Sequence, residues 1–160
     1  MRFTLVDRIV ALQPGKRITT VKNLSLAEEY LADHFPGFPV LPGVLMLEAM
    51  TQAAAWLVRV SEEFRHSVVV LKEARNVKYS KFVEPGQTLS VTADWLERSE
   101  QEVKFKAYGE VEGEQAVSAR LTLATYNLAE TDAEQALTDE IIRQKLREFH
   151  SLIDRGRVPA

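Results

Sequence analysis

A long apolar stretch that follows two Pro-Gly turns is the feature that most constrains this chain. Residues 35–37 (Phe-Pro-Gly) and 41–43 (Leu-Pro-Gly) precede a run from 44 to 60 in which almost every side chain is apolar. Proline is tolerated in the first turn of a helix, so Pro42 predicts a helix start. A helix that is apolar on every face is normally a buried one. The sequence therefore predicts a buried central helix over about residues 44–63.

Three polar residues interrupt the first half of this helix: Glu48, Thr51 and Gln52. Residues at i, i+3 and i+4 share one face of a helix. An ionised carboxylate on an apolar helix is costly unless it is hydrogen-bonded, paired or kept for chemistry. Glu48 is therefore a candidate catalytic residue, and Gln52, one turn further on, can hydrogen-bond and orient its carboxylate.

The rest of the chain predicts a sheet around this helix. Residues 17–24 are rich in β-branched side chains, and a second strand is predicted over 68–81. Three later segments, 89–95, 103–111 and 117–123, alternate apolar and polar residues and are separated by joints of hairpin length. Such a meander with one long helix predicts an α+β architecture in which an antiparallel sheet wraps the helix.

Two further helices are predicted from capping-box patterns, in which Ser or Thr precedes Glu by three residues. One pair, Ser25 and Glu28, predicts a short helix before the central one, and the other, Thr131 and Glu134, begins a tail helix. The tail helix has an apolar stripe: Leu137, Ile141, Ile142, Leu146, Phe149 and Ile153. We therefore expect a domain over 1–128 and a helical extension over 129–160 that packs on the domain or on a neighbour.

Composition narrows the functional classes. Of the 160 residues, 46% are hydrophobic and 27% charged, which is typical of one globular domain. The absence of cysteine excludes disulfides and thiol chemistry and favours a reducing compartment. A net charge of −3 disfavours general nucleic-acid binding. No stretch predicts a membrane span, and the start lacks the apolar core of a signal peptide, so a cytoplasmic location is expected.

The central stretch also carries a resemblance to a known family. His-Phe-Pro-Gly at 34–37, Pro-Val-Leu-Pro-Gly-Val-Leu at 39–45 and Glu48-Ala49-Met50 with Gln52 resemble the signature of the beta-hydroxyacyl-(acyl carrier protein) dehydratases of bacterial fatty acid synthesis. The interval of 14 between His34 and Glu48 is the one that this family shows. Weaker similarity extends from Leu5 to about Tyr126. The resemblance implies a hotdog fold and dehydration of (3R)-hydroxyacyl-acyl carrier protein to the trans-2-enoyl form.

The resemblance also implies roles for single residues. His34 would be the base that removes the α-proton, and Glu48 would activate or protonate the departing hydroxyl. Val40 would contact His34 through its carbonyl. Gly43 opens the helix, so its free N–H at the positive end of the helix dipole suits a thioester oxygen. No residue pattern requires a metal or an organic cofactor.

The same resemblance implies partners. The family works as a homodimer in which His and Glu face each other from different protomers, and trimers of such dimers occur among relatives. The acyl carrier protein is acidic, so a basic surface is expected at the mouth of the site. Arg75, Lys78 and Lys81 are the candidates for carrier docking.

Two other functions fit part of the pattern. In a hotdog thioesterase, Glu48 would direct water at the thioester carbonyl, but the presence of His34 in the signature disfavours this class. A non-catalytic hotdog protein would bind only the acyl chain or the carrier. The presence of both ionisable residues disfavours that class, because a buried Glu without a task is costly.

Overall fold

Six antiparallel strands form one sheet in this computed structural model, which describes residues 3–157. The spatial order is β1-β2-β4-β5-β6-β3, so β1 and β3 form the two edges. The strands are β1 (Arg8–Gln13), β2 (Arg17–Asn23), β3 (Val68–Tyr79), β4 (Thr88–Arg98), β5 (Glu102–Val111) and β6 (Glu114–Tyr126).

The central helix, α1 (Gly43–Ser61), packs on this sheet and contacts β2 through β6. Met50, Ala53 and Leu57 on α1 are fully buried. The predicted helix is confirmed, although its first turn is not buried on every face. Val44 is 70% exposed, and Glu48 is partly exposed rather than enclosed. In the single chain, the amino end of α1 is therefore left open.

The predicted meander is confirmed as β4, β5 and β6. Alternate residues of β5, such as Val103, Phe105 and Ala107, are fully buried, while the residues between them are exposed or half-buried. This alternation arises because successive side chains of a strand point to opposite faces of the sheet. The apolar face of the sheet therefore packs on α1.

The C-terminal helix, α2 (Ala136–Ile153), packs beside the second half of α1. The Phe149 ring stacks on Trp56 of α1 with centroids 5.9 Å apart. The buried Asp139 carboxylate accepts hydrogen bonds from the Ser67 hydroxyl and from the Leu128 and Ala129 amides. Burial alone would raise the pKa of Asp139, but these hydrogen bonds and the nearby Arg143 charge lower it.

Several local predictions are wrong. No capping box forms at Ser25, because Glu28 pairs with Lys22 at 2.7 Å and only a 3₁₀ turn, Glu29–Leu31, follows. The capping box of the tail joins Asn127 to Glu130 instead of starting at Thr131.

The apolar stripe predicted for the tail helix is also only partly correct. Leu137 and Ile141 are 71% and 47% exposed, whereas Ile153 is buried. Within the described part of the chain, no helix is long and apolar enough to cross a membrane.

Candidate active site

His34 lies in an irregular loop that is held against the strand edge of the sheet. Phe35 has a φ of 56°, in the left-handed region that is uncommon for residues other than glycine. Its ring lies 4.3 Å from the His34 ring, measured between centroids. The Leu41 amide donates a hydrogen bond of 2.9 Å to the Val83 carbonyl, just beyond β3. The loop is therefore held at the end of β3, where it presents His34.

A cavity of about 420 Å³, the His34 cavity, brings several of the predicted residues together: His34, Val40, Gly43 and Lys81 line it. Tyr79, the last residue of β3, lies against Gly43 so closely that a Cβ at Gly43 would be 3.0 Å from the Tyr79 ring. Among the described residues, the Gly43 N–H donates no hydrogen bond. An unpaired N–H at a helix amino end can bind an anionic oxygen.

Glu48 lies in a different and larger space, the Glu48 groove, of about 980 Å³. Gln52 donates a hydrogen bond of 3.0 Å to the Glu48 carboxylate, as the spacing on the helix predicts. The same amide nitrogen donates to the Phe3 carbonyl at 2.9 Å, and the Gln52 oxygen accepts from the Leu5 amide at 2.9 Å. Because the N-terminal segment fixes both ends of its amide group, Gln52 holds the carboxylate in one orientation.

Among the described residues, His34 and Glu48 line two different cavities of the chain. The Glu48 groove borders residues 69–71 at the start of β3, and the His34 cavity borders Tyr79 at its end. A single chain therefore carries two separate parts of the predicted site, at opposite ends of an edge strand.

The predicted basic residues differ in their surroundings. Lys81 at the His34 cavity pairs with Glu114 at 2.6 Å, and this hydrogen bond raises the pKa of Lys81. Arg75 pairs with Glu73 at 2.9 Å, and Lys78 is exposed. Among residues 3–157, His34 forms no hydrogen bond with the Val40 carbonyl, although both residues border the same cavity.

Two features of the Glu48 groove were not predicted: Arg59 on α1 and the wall that α2 supplies. Arg59 continues the helical spacing of Glu48, Gln52 and Ala55, so extending the polar stripe by two turns would have found it. No sequence pattern indicated that α2 would reach this groove. The described residues contain no group of three or more His, Cys, Asp or Glu side chains that could hold a metal ion.

Comparisons with known proteins identify the family of this chain. Residues 1–120 match the family model of the FabA-like domain. The chain is 36% identical over 125 residues to the 3-hydroxyacyl-[acyl-carrier-protein] dehydratase FabZ of Wolbachia pipientis, which covers 78% of this chain and 87% of that protein. It is 40% identical over 121 residues to the FabZ of Rickettsia bellii, which covers 75% of this chain and 83% of that protein.

A solved structure extends the likeness to the fold. The dehydratase heterocomplex ApeI:P from Xenorhabdus doucetiae matches with a TM-score of 0.67, 19% sequence identity, and coverage of 83% of this chain and 90% of that chain. The hotdog fold implied by the sequence is confirmed. The chain therefore belongs to the family of FabA-like hotdog proteins and is related over most of its length to FabZ dehydratases.

Proposed function

We propose that this chain is a hydro-lyase that converts (3R)-hydroxyacyl-acyl carrier protein to trans-2-enoyl-acyl carrier protein in fatty acid biosynthesis or a related acyl pathway. The observation that carries the proposal is the position of His34 and Glu48 in two cavities at opposite ends of one unpaired edge strand. The names of the FabZ relatives support the same reaction. A cytoplasmic location agrees with the absence of cysteine.

A second copy of the chain would complete the site. Residues 69 and 79 of β3 are about 30 Å apart in an extended strand, so its two ends cannot meet in one chain. If the edge strands of two copies pair antiparallel about a two-fold axis, each start of β3 meets the end of its partner's β3. The His34 cavity of one protomer then joins the Glu48 groove of the other.

Two surface features support this pairing. Three exposed residues line the His34 cavity: Phe35, Tyr79 and Phe82. Phe38, whose ring lies 5.6 Å from that of Phe82, and Val44, which follows Gly43, are also exposed beside it. Apolar patches of this kind mark interaction sites. In addition, a two-fold axis that passes close to Ala74 would place Glu73 opposite the partner's Arg75. Opposite charges would then face each other twice along the paired edges.

In the joined site each group has one task. The imidazole of His34 takes the α-proton of the thioester, and the electron pair of that bond forms the new double bond. Glu48 of the other protomer gives a proton to the β-hydroxyl, which leaves as water. The Gly43 amide stabilises negative charge on the thioester oxygen, and Gln52 positions Glu48. Exchange with water then returns one proton from His34 to Glu48.

The carrier would dock beside the His34 cavity. Lys78 lies next to the last residue of β3, and Lys81 lies two residues beyond the strand, where it borders the His34 cavity. Positive charge there would attract an acidic carrier and speed its encounter. Arg75 pairs with Glu73 and Lys81 pairs with Glu114, whereas Lys78 forms no ion pair among residues 3–157, so Lys78 carries most of this part of the proposal.

The test is complementation between two inactive variants. His34→Ala and Glu48→Ala should each lower turnover of a 3-hydroxybutyryl thioester by about a thousandfold, as loss of a general acid or base does. Mixed after unfolding and refolding together, they should recover about a quarter of wild-type activity, because half of the dimers are mixed and each has one intact site.

Enoyl absorbance and free thiol are followed together in this assay. Absorbance without thiol supports the dehydratase, and thiol release supports a thioesterase. No reaction of the wild-type chain supports a binding protein. If differently tagged variants form mixed dimers that stay inactive, the shared site is wrong.

A further inference from the structure

The Glu48 groove continues beyond the proposed reacting centre along one face of α1. Glu48, Gln52, Ala55 and Arg59 lie on this face at helical spacing and border the groove. Arg59 lies eleven positions after Glu48 on the helix, which corresponds to about 16 Å along the axis. The groove therefore extends at least from Glu48 to Arg59, and the end beside Arg59 is called here its far end.

The wall opposite α1 comes partly from the C-terminal helix. Leu146 and Phe149 of α2 border the groove beside Val69 of β3. These walls are apolar, which suits an alkyl chain. The helix lies outside residues 1–120, the part that matches the family model, so this wall is a feature added to the matched domain.

Arg59 at the far end has no anionic partner within the part of the chain that the structure describes. Its Nε atom is enclosed and has no hydrogen-bond acceptor among the described residues. The guanidinium lies over the Trp56 ring, 5.0 Å from the centroid, and no ion pair with it forms in residues 3–157. Burial lowers the pKa of Arg59 to about 10. Arg59 is half-buried, and its enclosed Nε has no acceptor among the described residues. An unpaired donor of this kind is costly, so the site favours the arrival of an anion.

The other charges near this end do not cancel Arg59. Lys145 and Glu148 of α2 also border the groove, and both are exposed. Their opposite charges leave the guanidinium as the net positive charge of this end. The far end of the groove is therefore positively charged, whereas the walls between it and Glu48 are apolar.

We propose that the groove holds the acyl chain of the substrate and that Arg59 binds a carboxylate at the far end of that chain. This inference rests on the proposed function, because it places the reacting carbons beside Glu48. The preferred substrate is then a 3-hydroxyacyl thioester whose chain ends in a carboxylate about 16 Å from the reacting carbons. The phosphate of the carrier arm is the competing anion, and the test separates the two.

Binding is measured through Trp56, which lies under Arg59. Trp56 and Trp95 are the only two tryptophans of the sequence, so a Trp95→Phe background leaves one reporter. The probes are monoamides of straight-chain dicarboxylic acids of increasing length, in which the neutral amide stands for the thioester. Simple fatty amides of the same length, and 4′-phosphopantetheine, are the comparison ligands.

The monoamide of matching length should bind at least about tenfold more tightly than the fatty amide, as expected for a charge-assisted hydrogen bond. Arg59→Met should remove this difference, and Arg59→Lys should restore part of it. Arg8→Met, an exposed arginine on β1, is the matched control and should keep the difference. Equal binding of the two amides, or Arg59-dependent binding of phosphopantetheine alone, overturns the proposal.

Turnover provides the second measurement. The ratio of kcat/KM for a carboxylate-ended over a methyl-ended 3-hydroxyacyl thioester should exceed about ten in the wild-type chain and fall to about one in Arg59→Met. If water is removed from both substrates with a wild-type ratio near one, the inference is wrong and the proposed function stands. If neither substrate reacts, the proposed function is wrong, and the amide binding still decides whether Arg59 takes a carboxylate.

Discussion

The His34 cavity and the Glu48 groove belong to one chain, yet they are closed in different ways. The His34 cavity, about 420 Å³, is bordered by the His34 loop, the start of α1 and residues 79–82, and the aromatic residues Phe35, Tyr79 and Phe82 on its border are exposed. The Glu48 groove, about 980 Å³, has a second wall from α2. In the proposed dimer a second copy would close the His34 cavity, whereas the Glu48 groove has an additional wall from its own chain.

This difference separates two properties of the proposed enzyme. Assembly of the reacting groups depends on the β3 edge, which is the part shared with a second copy. Selection of the acyl chain, as inferred above, depends on Arg59 of α1 and on the wall that α2 supplies to the groove of its own chain. Changes at the β3 edge should therefore affect turnover of all substrates, and changes at α2 should affect stability and preference.

The largest effect is expected at the β3 edge. Glu73→Arg would place like charges opposite each other twice in the symmetric dimer, so the dissociation constant should rise about 30-fold. Activity at low protein concentration should fall with it. Analytical ultracentrifugation beside a dilution series of turnover measures both.

Glu73→Arg/Arg75→Glu is the matched control, because it exchanges the charges and keeps the pairing. It should restore the dimer. If Glu73→Arg alone leaves the stability of the dimer unchanged, the proposed pairing of the two β3 strands about Ala74 is wrong.

The next effect concerns the orientation of Glu48. Gln52→Leu removes the hydrogen bond to Glu48 and both contacts to the N-terminal segment. Turnover should fall about tenfold while KM stays within about twofold, because a misplaced acid affects the reacting state more than substrate binding. Steady-state kinetics on a short 3-hydroxyacyl thioester separates the two constants.

The chain offers a close control for Gln52. Gln144 on α2 donates to Glu148 at 3.0 Å, with the same spacing and the same length as the bond from Gln52 to Glu48. Gln144→Leu should therefore leave both kinetic constants unchanged. A rise in KM without loss of kcat in Gln52→Leu would mean that Gln52 contacts substrate instead of positioning the carboxylate.

The attachment of α2 is tested by its aromatic contact. Phe149→Ala removes the stack on Trp56 from a half-buried position, so the free energy of unfolding should fall by about 2 kcal/mol. Leu137→Ala, at a position that is 71% exposed, should change it by less than about 0.5 kcal/mol. Urea unfolding measures both variants. Equal losses would mean that the exposed end of α2 is covered by another surface in solution.

Sequence patterns predicted those elements whose neighbours lie close in the chain. The alternation of β4, β5 and β6 and the start of α1 after Pro42 depend on local period and on hairpin connections, so both were found. The family resemblance, not periodicity, singled out His34 and linked it to Glu48. Their separation into two cavities follows from the sheet order, which places β3 at an edge.

The wrong predictions concern ends of elements that tertiary contacts decide. Ser25 precedes Glu28 with capping-box spacing, but Lys22 on β2 takes the Glu28 carboxylate. On α2, the buried Asp139 and the Trp56 contact fix which face meets α1, so Leu137 lies outside the contact although it belongs to the apolar stripe. Arg59 was missed because the polar stripe of α1 was followed only through its first half.

The smallest effect expected is a pH dependence of the free energy of unfolding, which arises from His150 on α2. Burial against Trp56 and Phe64 lowers the pKa of His150 below its ordinary value of 6.5, the Asp154 carboxylate at 3.8 Å raises it, and Arg157 lowers it. The folded pKa is the lower one, so the unfolded chain binds more protons as the pH falls below about 6.5. The free energy of unfolding should therefore decrease from neutral pH down to the folded pKa and show no further loss from this group below it.

His150→Phe keeps an aromatic ring in the contact and removes the titration. Its unfolding free energy, measured in urea between about pH 7.5 and pH 5, should vary less with pH than that of the wild-type chain. Burial also lowers the pKa of His66, so the slope that remains in His150→Phe should decrease further when His66→Gln is added. An unchanged slope in His150→Phe would mean that the α2 contact does not bury the imidazole, and the added wall of the Glu48 groove would then be less firmly held than the geometry indicates.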